Sequence, residues 1–315
     1  MSAAVCVLVI VAICSGLLIL GSTALLPEEV EAEHTSKSIT KNGIDYFPKQ
    51  NLTVILLMGI DEPGPAKDSL SYNNQGEADM VVLAVIDETE RACRMLTLNR
   101  DTMMKIPMLG LGGKLAGSKT AQLALAHTYG SGLEDSCENT RKAVSDFLKG
   151  IPIDYYISIN LDAVAILNDA VGGVEVAVED DFSLVDESIQ KGTMVLRGDQ
   201  ALTYVQTRWN VGDHLNLSRM ERQKAYMQGF MEAFRRMTNE TEGFVLSTYE
   251  SVAPYLVSDL PVSTLSGMVE RYEQYAITEF LSLEGENVMG EEYYEFHPDQ
   301  QKLEDLILDL FYVVH

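Results

Sequence analysis

Positive charge is scarce in this chain: 23 Lys and Arg stand against 47 Asp and Glu, a formal net charge of -24 over 315 residues. Such a surface repels a phosphate backbone, which excludes nucleic acid as the expected partner. An anionic substrate would have to enter through a local basic site. Metal-type cysteine spacing is also missing. Of the four cysteines, Cys6 and Cys14 fall in an apolar N-terminal stretch, leaving Cys93 and Cys137. Outside the cytoplasm these two are open to a disulfide, and otherwise to life as buried free thiols. There is no internal repeat and no low-complexity tract, and with 46% hydrophobic residues the chain has enough apolar material for a large core.

Residues 3–26 contain no charged side chain and are rich in Val, Ile and Leu, a length that spans a bilayer. A cleaved signal peptide would want a basic start and a shorter apolar segment. Met1-Ser2 offers no charge, so an uncleaved anchor over residues 1–27 is the expectation. Cys14 follows Ile13 and is a poor match to a lipoprotein site. Residues 28–50 are polar, broken by Gly43 and Pro48, and read as a linker. The folded domain is expected over residues 51–315, facing outward because one span precedes one large domain.

Three apolar runs open that domain, at residues 52–59, 80–86 and 93–98. Their continuity is that of strands buried on both faces. Helical spacing appears at 120–129 and 136–148, with Gly150-Ile151-Pro152 ending the second. A further strand is expected at 155–159, a helix at 161–170, and an alternating strand at 174–178. Helical patterns return at 245–256, 262–275 and 300–311. Interleaved strands and helices predict an α/β domain with a central, mostly buried mixed sheet flanked by helices, α-β-α in layers. Residues 52–236 carry its core, and 237–315 complete or cover the sheet.

Arginines and aspartates gather where these runs end. Arg100 and Asp101 close the third strand; Arg208, Asp213, Arg219, Arg222 and Gln223 follow the run Ala201-Leu202-Thr203-Tyr204-Val205, read here as strand-like. Asp61 follows the first strand and Asp79 precedes the second. A sheet would bring Asp61, Asp79 and Asp101 to one edge, where carboxylates repel one another unless a cation intervenes. Guanidinium grips phosphate oxygens bidentately and carboxylates suit Mg²⁺, so the pattern points to a phosphate and a divalent metal. A helix beginning near Asn216 or Ser218 would set Arg219 and Gln223 on one face, with Arg222 beside them.

The segments LLMGID, ADMVVLAVID, LTLNRDTMMKIP, LALAHTYGSG, LRGDQALTYVQTR and GDHLNLSRMERQ occur in this order. Together they resemble the LytR-CpsA-Psr family of bacterial cell-envelope proteins, over about residues 52–234. The resemblance implies a membrane-anchored, extracytoplasmic phosphotransferase. It would move a glycopolymer, such as teichoic acid or capsule, from a polyprenyl-pyrophosphate carrier to peptidoglycan, with a polyprenyl pyrophosphatase side activity. It also implies Mg²⁺ (or Mn²⁺) at Asp79 and Asp61, with Asp101 ordering the loop. Arg100, Arg208, Arg219 and Gln223 would hold the pyrophosphate, Arg222 would compensate nearby, and Asp213 would activate the acceptor hydroxyl.

Two positions depart from the family pattern. Glu77 stands where many members have Arg two residues before the metal aspartate, and Gln206 replaces the first member of an Arg-x-Arg pair. These departures leave open a catalytically weak or inactive envelope protein that binds lipid-linked precursors.

Overall fold

The computed structural model describes residues 38–314, apart from 71–73, 111–112, 213–215, 262–263, 265–267, 269–270 and 273–274. The anchor expected at residues 1–27 lies outside the described residues. Among the described residues no helix is long and apolar enough to cross a membrane.

Six strands build the central sheet: β1 (Leu52–Ile60), β2 (Ala78–Asp87), β3 (Ala92–Leu98), β4 (Tyr155–Asn160), β5 (Leu256–Ser258) and β6 (Ala276–Ser282). Their order across the sheet is β5-β4-β1-β2-β3-β6. β1 runs antiparallel to β2 and β2 to β3, whereas β4 is parallel to β1 and β6 parallel to β3, so the sheet is mixed as expected.

Both faces of the sheet are covered, which is why its strands read as unbroken apolar runs. Val54, Leu56, Met58 and Ile60 face one side of β1, with α1 (Glu134–Phe147) and the C-terminal helix Gln300–Phe311 packed there through Val144, Leu303 and Ile307. Ile55 and Leu57 face the other side, toward Met231, Tyr272 and Tyr275. Cys93 belongs to this second layer and Cys137 to the first. With the sheet between them both are buried free thiols, and burial pushes the Cys93 thiol up to about 12.

A second apolar cluster gathers α2 (Ala163–Ala170), α3 (Asp199–Gln206), α4 (Asn216–Glu240) and α5 (Phe244–Val252) around the hairpin of Val174–Val178 with Gly192–Leu196. Helix α4 presses directly on this hairpin. A Cβ at Gly229 would lie 2.4 Å from the Glu175 carbonyl oxygen, so only glycine permits the approach.

Several local expectations are corrected. Residues 201–205 are not a strand: they lie in α3, whose buried residues Ala201, Tyr204 and Val205 follow helical spacing rather than alternation. Residues 120–122 end the strand Leu115–Gln122, which pairs with Met103–Leu109 in a hairpin, and Leu123–Ala126 forms only a short 3₁₀ turn. The partner strand supplies backbone hydrogen bonds that local spacing does not reveal. The helix expected over 245–256 stops at Val252, and Pro254 lies in the 3₁₀ turn leading into β5. The one expected over 262–275 lies largely outside the described residues. The tail helix sits where its leucines place it. Its N-terminus is capped by Asp299, whose side chain accepts from the backbone of Gln301 and Lys302.

Candidate active site

The strand ends deliver the charged residues to one edge of the sheet. Asp79 enters on the second residue of β2, just after Glu77. The chain beyond β3 turns sharply at residues 99–102. There the Asn99 side chain accepts from the Asp101 backbone at 2.9 Å, and the Thr102 hydroxyl donates to the Asn99 carbonyl at 2.6 Å. This Asx-type turn aims Arg100 back across the sheet. Its guanidinium donates to both Asp79 and Glu77.

From the opposite wall, α4 brings Arg219, which is buried and donates to Asp79 Oδ2 at 2.7 Å. Asn216, one turn earlier, accepts from Arg219 Nε at 3.0 Å and donates to Asn99 at 2.8 Å. The two arms of the site are thus tied together through Asn99 and Asn216. Burial and the nearby Arg100 push the Arg219 guanidinium down to about 9, so it remains a cation at neutral pH. Asp101 lies beneath, 1% exposed. Gln122 donates to it at 2.9 Å, while Arg100 Nε is 3.5 Å away and Arg208 3.6 Å away. Burial raises the pKa of Asp101, and Arg208 and Arg100 oppose that shift. Arg208 also lies 5.9 Å from the centre of the Tyr294 ring, a cation–π distance.

Arg100, Arg208, Arg219, Asp79 and Asp101 therefore converge. Asp61 stands at the rim: its backbone donates to the Glu77 carbonyl at 2.9 Å, and Gln206 approaches its carboxylate at 3.4 Å. Gln223 lines the adjoining cleft and donates to the Val205 carbonyl at 3.2 Å. Arg222 is turned elsewhere. Its fork is taken up by Asp180 at 2.5 Å, the Tyr204 carbonyl at 3.0 Å and the Thr207 carbonyl, so it staples α4 to α3 and stands apart from the guanidiniums gathered at Asp79 and Asp101. Only two residues separate Arg219 from Arg222, but the helix's surroundings give them different tasks. Asp213 lies outside the described residues.

Asn99, Asn216 and Gln122 escape a search for charged residues. The signal for Asn216 is its spacing, one helical turn before Arg219; the roles of Asn99 and Gln122 depend on long-range contacts.

Beside the charged cluster opens a cleft of about 890 Å³, including space open to solvent, with walls of Ile159, Leu161, Val164, Leu167, Met227 and Phe230. Asp79, Gln206 and Gln223 also line it, so an apolar channel adjoins the arginines. Three carboxylates (Glu77, Asp79, Asp101) meet three guanidiniums (Arg100, Arg208, Arg219) in the cluster, and Asp61 at the rim, approached by Gln206, adds a fourth negative charge. A bound pyrophosphate would deepen the negative excess, which favours an accompanying divalent cation. Asp101 Oδ2 is buried with no hydrogen-bond partner among the described residues, an oxygen suited to such an ion. Among the described residues no three His, Cys, Asp or Glu side chains form a metal-holding group. The arrangement therefore fits Mg²⁺ held by one or two carboxylates together with substrate oxygens, not a protein-only cage.

On the far side of the Ile60 backbone, His127 is buried with Nδ1 2.8 Å from the Gly76 carbonyl oxygen. Burial lowers its pKa to about 4. The unfolded chain then takes up this proton first as pH falls below about 6.5, so folding stability drops as pH is lowered toward 4. The group's contribution over that window is roughly 3 kcal/mol. Urea unfolding at stepped pH is expected to show this slope in wild type and its loss in His127→Gln. Equal slopes in both would contradict a neutral buried imidazole.

The family model described as the LytR_cpsA_psr family matches residues 22–310. Among curated relatives, the chain is 30% identical over 211 residues to the polyisoprenyl-teichoic acid–peptidoglycan teichoic acid transferase TagV of Bacillus subtilis (strain 168), covering 65% of this chain and 49% of TagV. It is 25% identical over 280 residues to the corresponding transferase TagT of the same organism, covering 84% of this chain and 78% of TagT. The match to TagV thus spans about half the length of that relative. Among solved structures, TagT bound to LI-WTA superposes with a TM-score of 0.62 at 25% identity, covering 83% of this chain and 90% of the other.

Proposed function

The chain belongs to the LytR-CpsA-Psr family, and from that premise we propose that it is a phosphotransferase moving a glycopolymer from a polyprenyl-pyrophosphate carrier to peptidoglycan. One observation carries the reading: an apolar cleft opens directly onto a cluster of guanidiniums and carboxylates. A polyprenyl pyrophosphate has the same two halves, a hydrocarbon tail and a dense anion. The similarity to TagV and TagT, named as polyisoprenyl-teichoic acid–peptidoglycan teichoic acid transferases, supports the same substrate pair.

In this reading the tail lies along Ile159, Val164 and Phe230, whose burial against it favours binding. The pyrophosphate reaches Arg100, Arg208 and Arg219, with Gln223 at the mouth of the cleft. Arg100 and Arg219 now share Asp79, and donor binding exchanges some of those carboxylate contacts for phosphate oxygens. An acceptor hydroxyl then attacks the phosphorus that carries the glycopolymer. The bond to the bridging oxygen breaks, and polyprenyl phosphate leaves. Negative charge gathers on that leaving group, so fixed cations beside it stabilise the transition state. Asp213 is the proposed acceptor of the hydroxyl proton. Mg²⁺, proposed at Asp79 and Asp101 with Asp61 at the rim, would supply Lewis acidity and charge neutralisation when bound. Water in place of the acceptor would give a pyrophosphatase side reaction. An N-terminal anchor over residues 1–27 and an extracytoplasmic domain would set the site beside its membrane-borne donor.

The Glu77–Arg100 ion pair favours a second reading, precursor binding with little turnover, because a carboxylate competes with phosphate for Arg100. Release of polyprenyl phosphate from a teichoic-acid-type pyrophosphate donor separates the two. Mg²⁺-dependent turnover is expected. Tight donor binding with no release, across several donors and acceptors, would favour the second reading.

A further inference from the structure

A second cavity adjoins the segments that carry Asp61 and Glu77: its lining includes Ile60 and Gly76, the residues just before them. It shares Ile60 with the apolar cleft, and the chain from Gly76 through Glu77 to Asp79 runs between them. This cavity encloses about 690 Å³, including space open to solvent, and its lining is polar: Glu62, Lys67, Asn74, Gln75, His127 and Asn160 are among the residues that form it.

Its walls are built, not loosely apposed. Asn74, itself buried, donates to the carbonyls of His127 and Gly130 at 2.9 and 3.0 Å and to Ser136 Oγ at 3.1 Å, and its own oxygen accepts from Gly76 at 2.8 Å. Asn160 donates to the Gly64 carbonyl at 3.0 Å. Those amides are occupied in holding loops together. His127 is different. It is 2% exposed, its Nδ1 is committed to Gly76, and its Nε2 is buried with no hydrogen-bond partner among the described residues. With Nδ1 donating to a carbonyl, Nε2 carries a lone pair, and a buried acceptor without a donor is costly.

We propose that this cavity is the subsite for the acceptor glycan, an uncharged, hydroxyl- and amide-bearing saccharide, one of whose hydroxyl or amide groups donates to His127 Nε2. The proposal rests on the transferase reading, since a transferase needs a place for its acceptor as well as its donor. The chemistry of the walls selects the ligand. The apolar cleft suits hydrocarbon, whereas this cavity has polar walls, with the exposed Gln75 amide at its rim and a neutral imidazole in its lining. Its charged side chains include Lys67 and Glu62, 3.9 Å apart at the rim, so an anion gains no net positive charge there. The position selects the role. A sugar seated here lies against Ile60 and Gly76, the neighbours of Asp61 and Glu77, with the chain from Gly76 to Asp79 between it and the apolar cleft.

The test uses the full-length chain labelled with [¹⁵N]histidine, whose five histidines give few signals. His127→Gln identifies the His127 resonance. An N-acetylhexosamine tetramer is expected to shift the Nε2 signal upfield in a saturable way. Gln75→Trp, at an exposed position on the rim, is expected to weaken that titration about tenfold or more, equivalent to about 1.4 kcal/mol. No shift at saturating sugar, with only ordered water serving Nε2, would overturn the proposal. So would a shift produced by the lipid-linked donor alone to which the tetramer adds nothing, because the cavity would then hold the donor's own sugars. Donor binding is followed in the same samples. Retained donor binding without a sugar effect overturns this subsite alone. A sugar effect without donor binding overturns the lipid reading and leaves the saccharide site standing.

Discussion

Arg100→Ala is expected to lower turnover of a pyrophosphate-linked donor by on the order of 10³-fold, the loss seen when a fixed charge-stabilising group is removed from a transition state. That corresponds to about 4 kcal/mol of barrier. Arg100 is suited to this because the turn at Asn99 holds its backbone and its head reaches both carboxylates that precede or open β2. The side chain is mostly buried, so the charge acts with little screening from water. Removing it has a second effect, since Glu77 and Asp79 then face each other without that cation. Adding Glu77→Gln to Arg100→Ala relieves this repulsion. If the double variant regains most of the rate, the deficit came from unpaired carboxylates and not from a missing phosphate contact. An Arg100→Ala protein within about threefold of wild type would remove Arg100 from the reaction altogether.

Arg222→Ala should act on stability instead. The expected loss is about 3 kcal/mol, the lower end for breaking a buried ion pair, because Asp180 keeps some contact with solvent. The variant strands Asp180 and two backbone carbonyls, Tyr204 and Thr207, that now receive guanidinium hydrogen bonds. Lysine cannot replace the fork, since a single ammonium does not meet three acceptors on different sides. Arg222→Lys is therefore expected to recover only part of the loss. The measurement is the urea midpoint at unchanged slope, together with donor affinity of the folded fraction. Unchanged stability with lost donor affinity would return Arg222 to the phosphate-binding set in which its sequence neighbourhood first placed it.

The contrast between Arg219 and Arg222 shows where sequence reading stops. Both lie on α4, and the motif GDHLNLSRMERQ presents them as one group. Three positions apart on a helix, they project only about 60° from each other around the axis, so the helix alone does not separate them; the packing of α4 against the sheet and α3 decides that Arg219 meets Asp79 and Arg222 meets Asp180. Glu77 illustrates the same limit. Its identity was visible as a departure, but its partner was not, because Arg100 lies 23 residues away across two strands.

The sequence alone determined the layered α/β core, since strands covered on both faces must be apolar along their length, and β1, β2 and β3 are. It also narrowed the candidates for an anion site to a few arginines, because few cations are available in so acidic a chain. Tertiary structure decided the rest. Pairing of Met103–Leu109 with Leu115–Gln122 overrode a helical spacing, and the buried face of residues 201–205 became legible as helical only once its neighbours were known. The cleft and the polar cavity lie on opposite sides of one strand end. Volumes of that kind arise from elements far apart in the chain, and no local pattern encodes them.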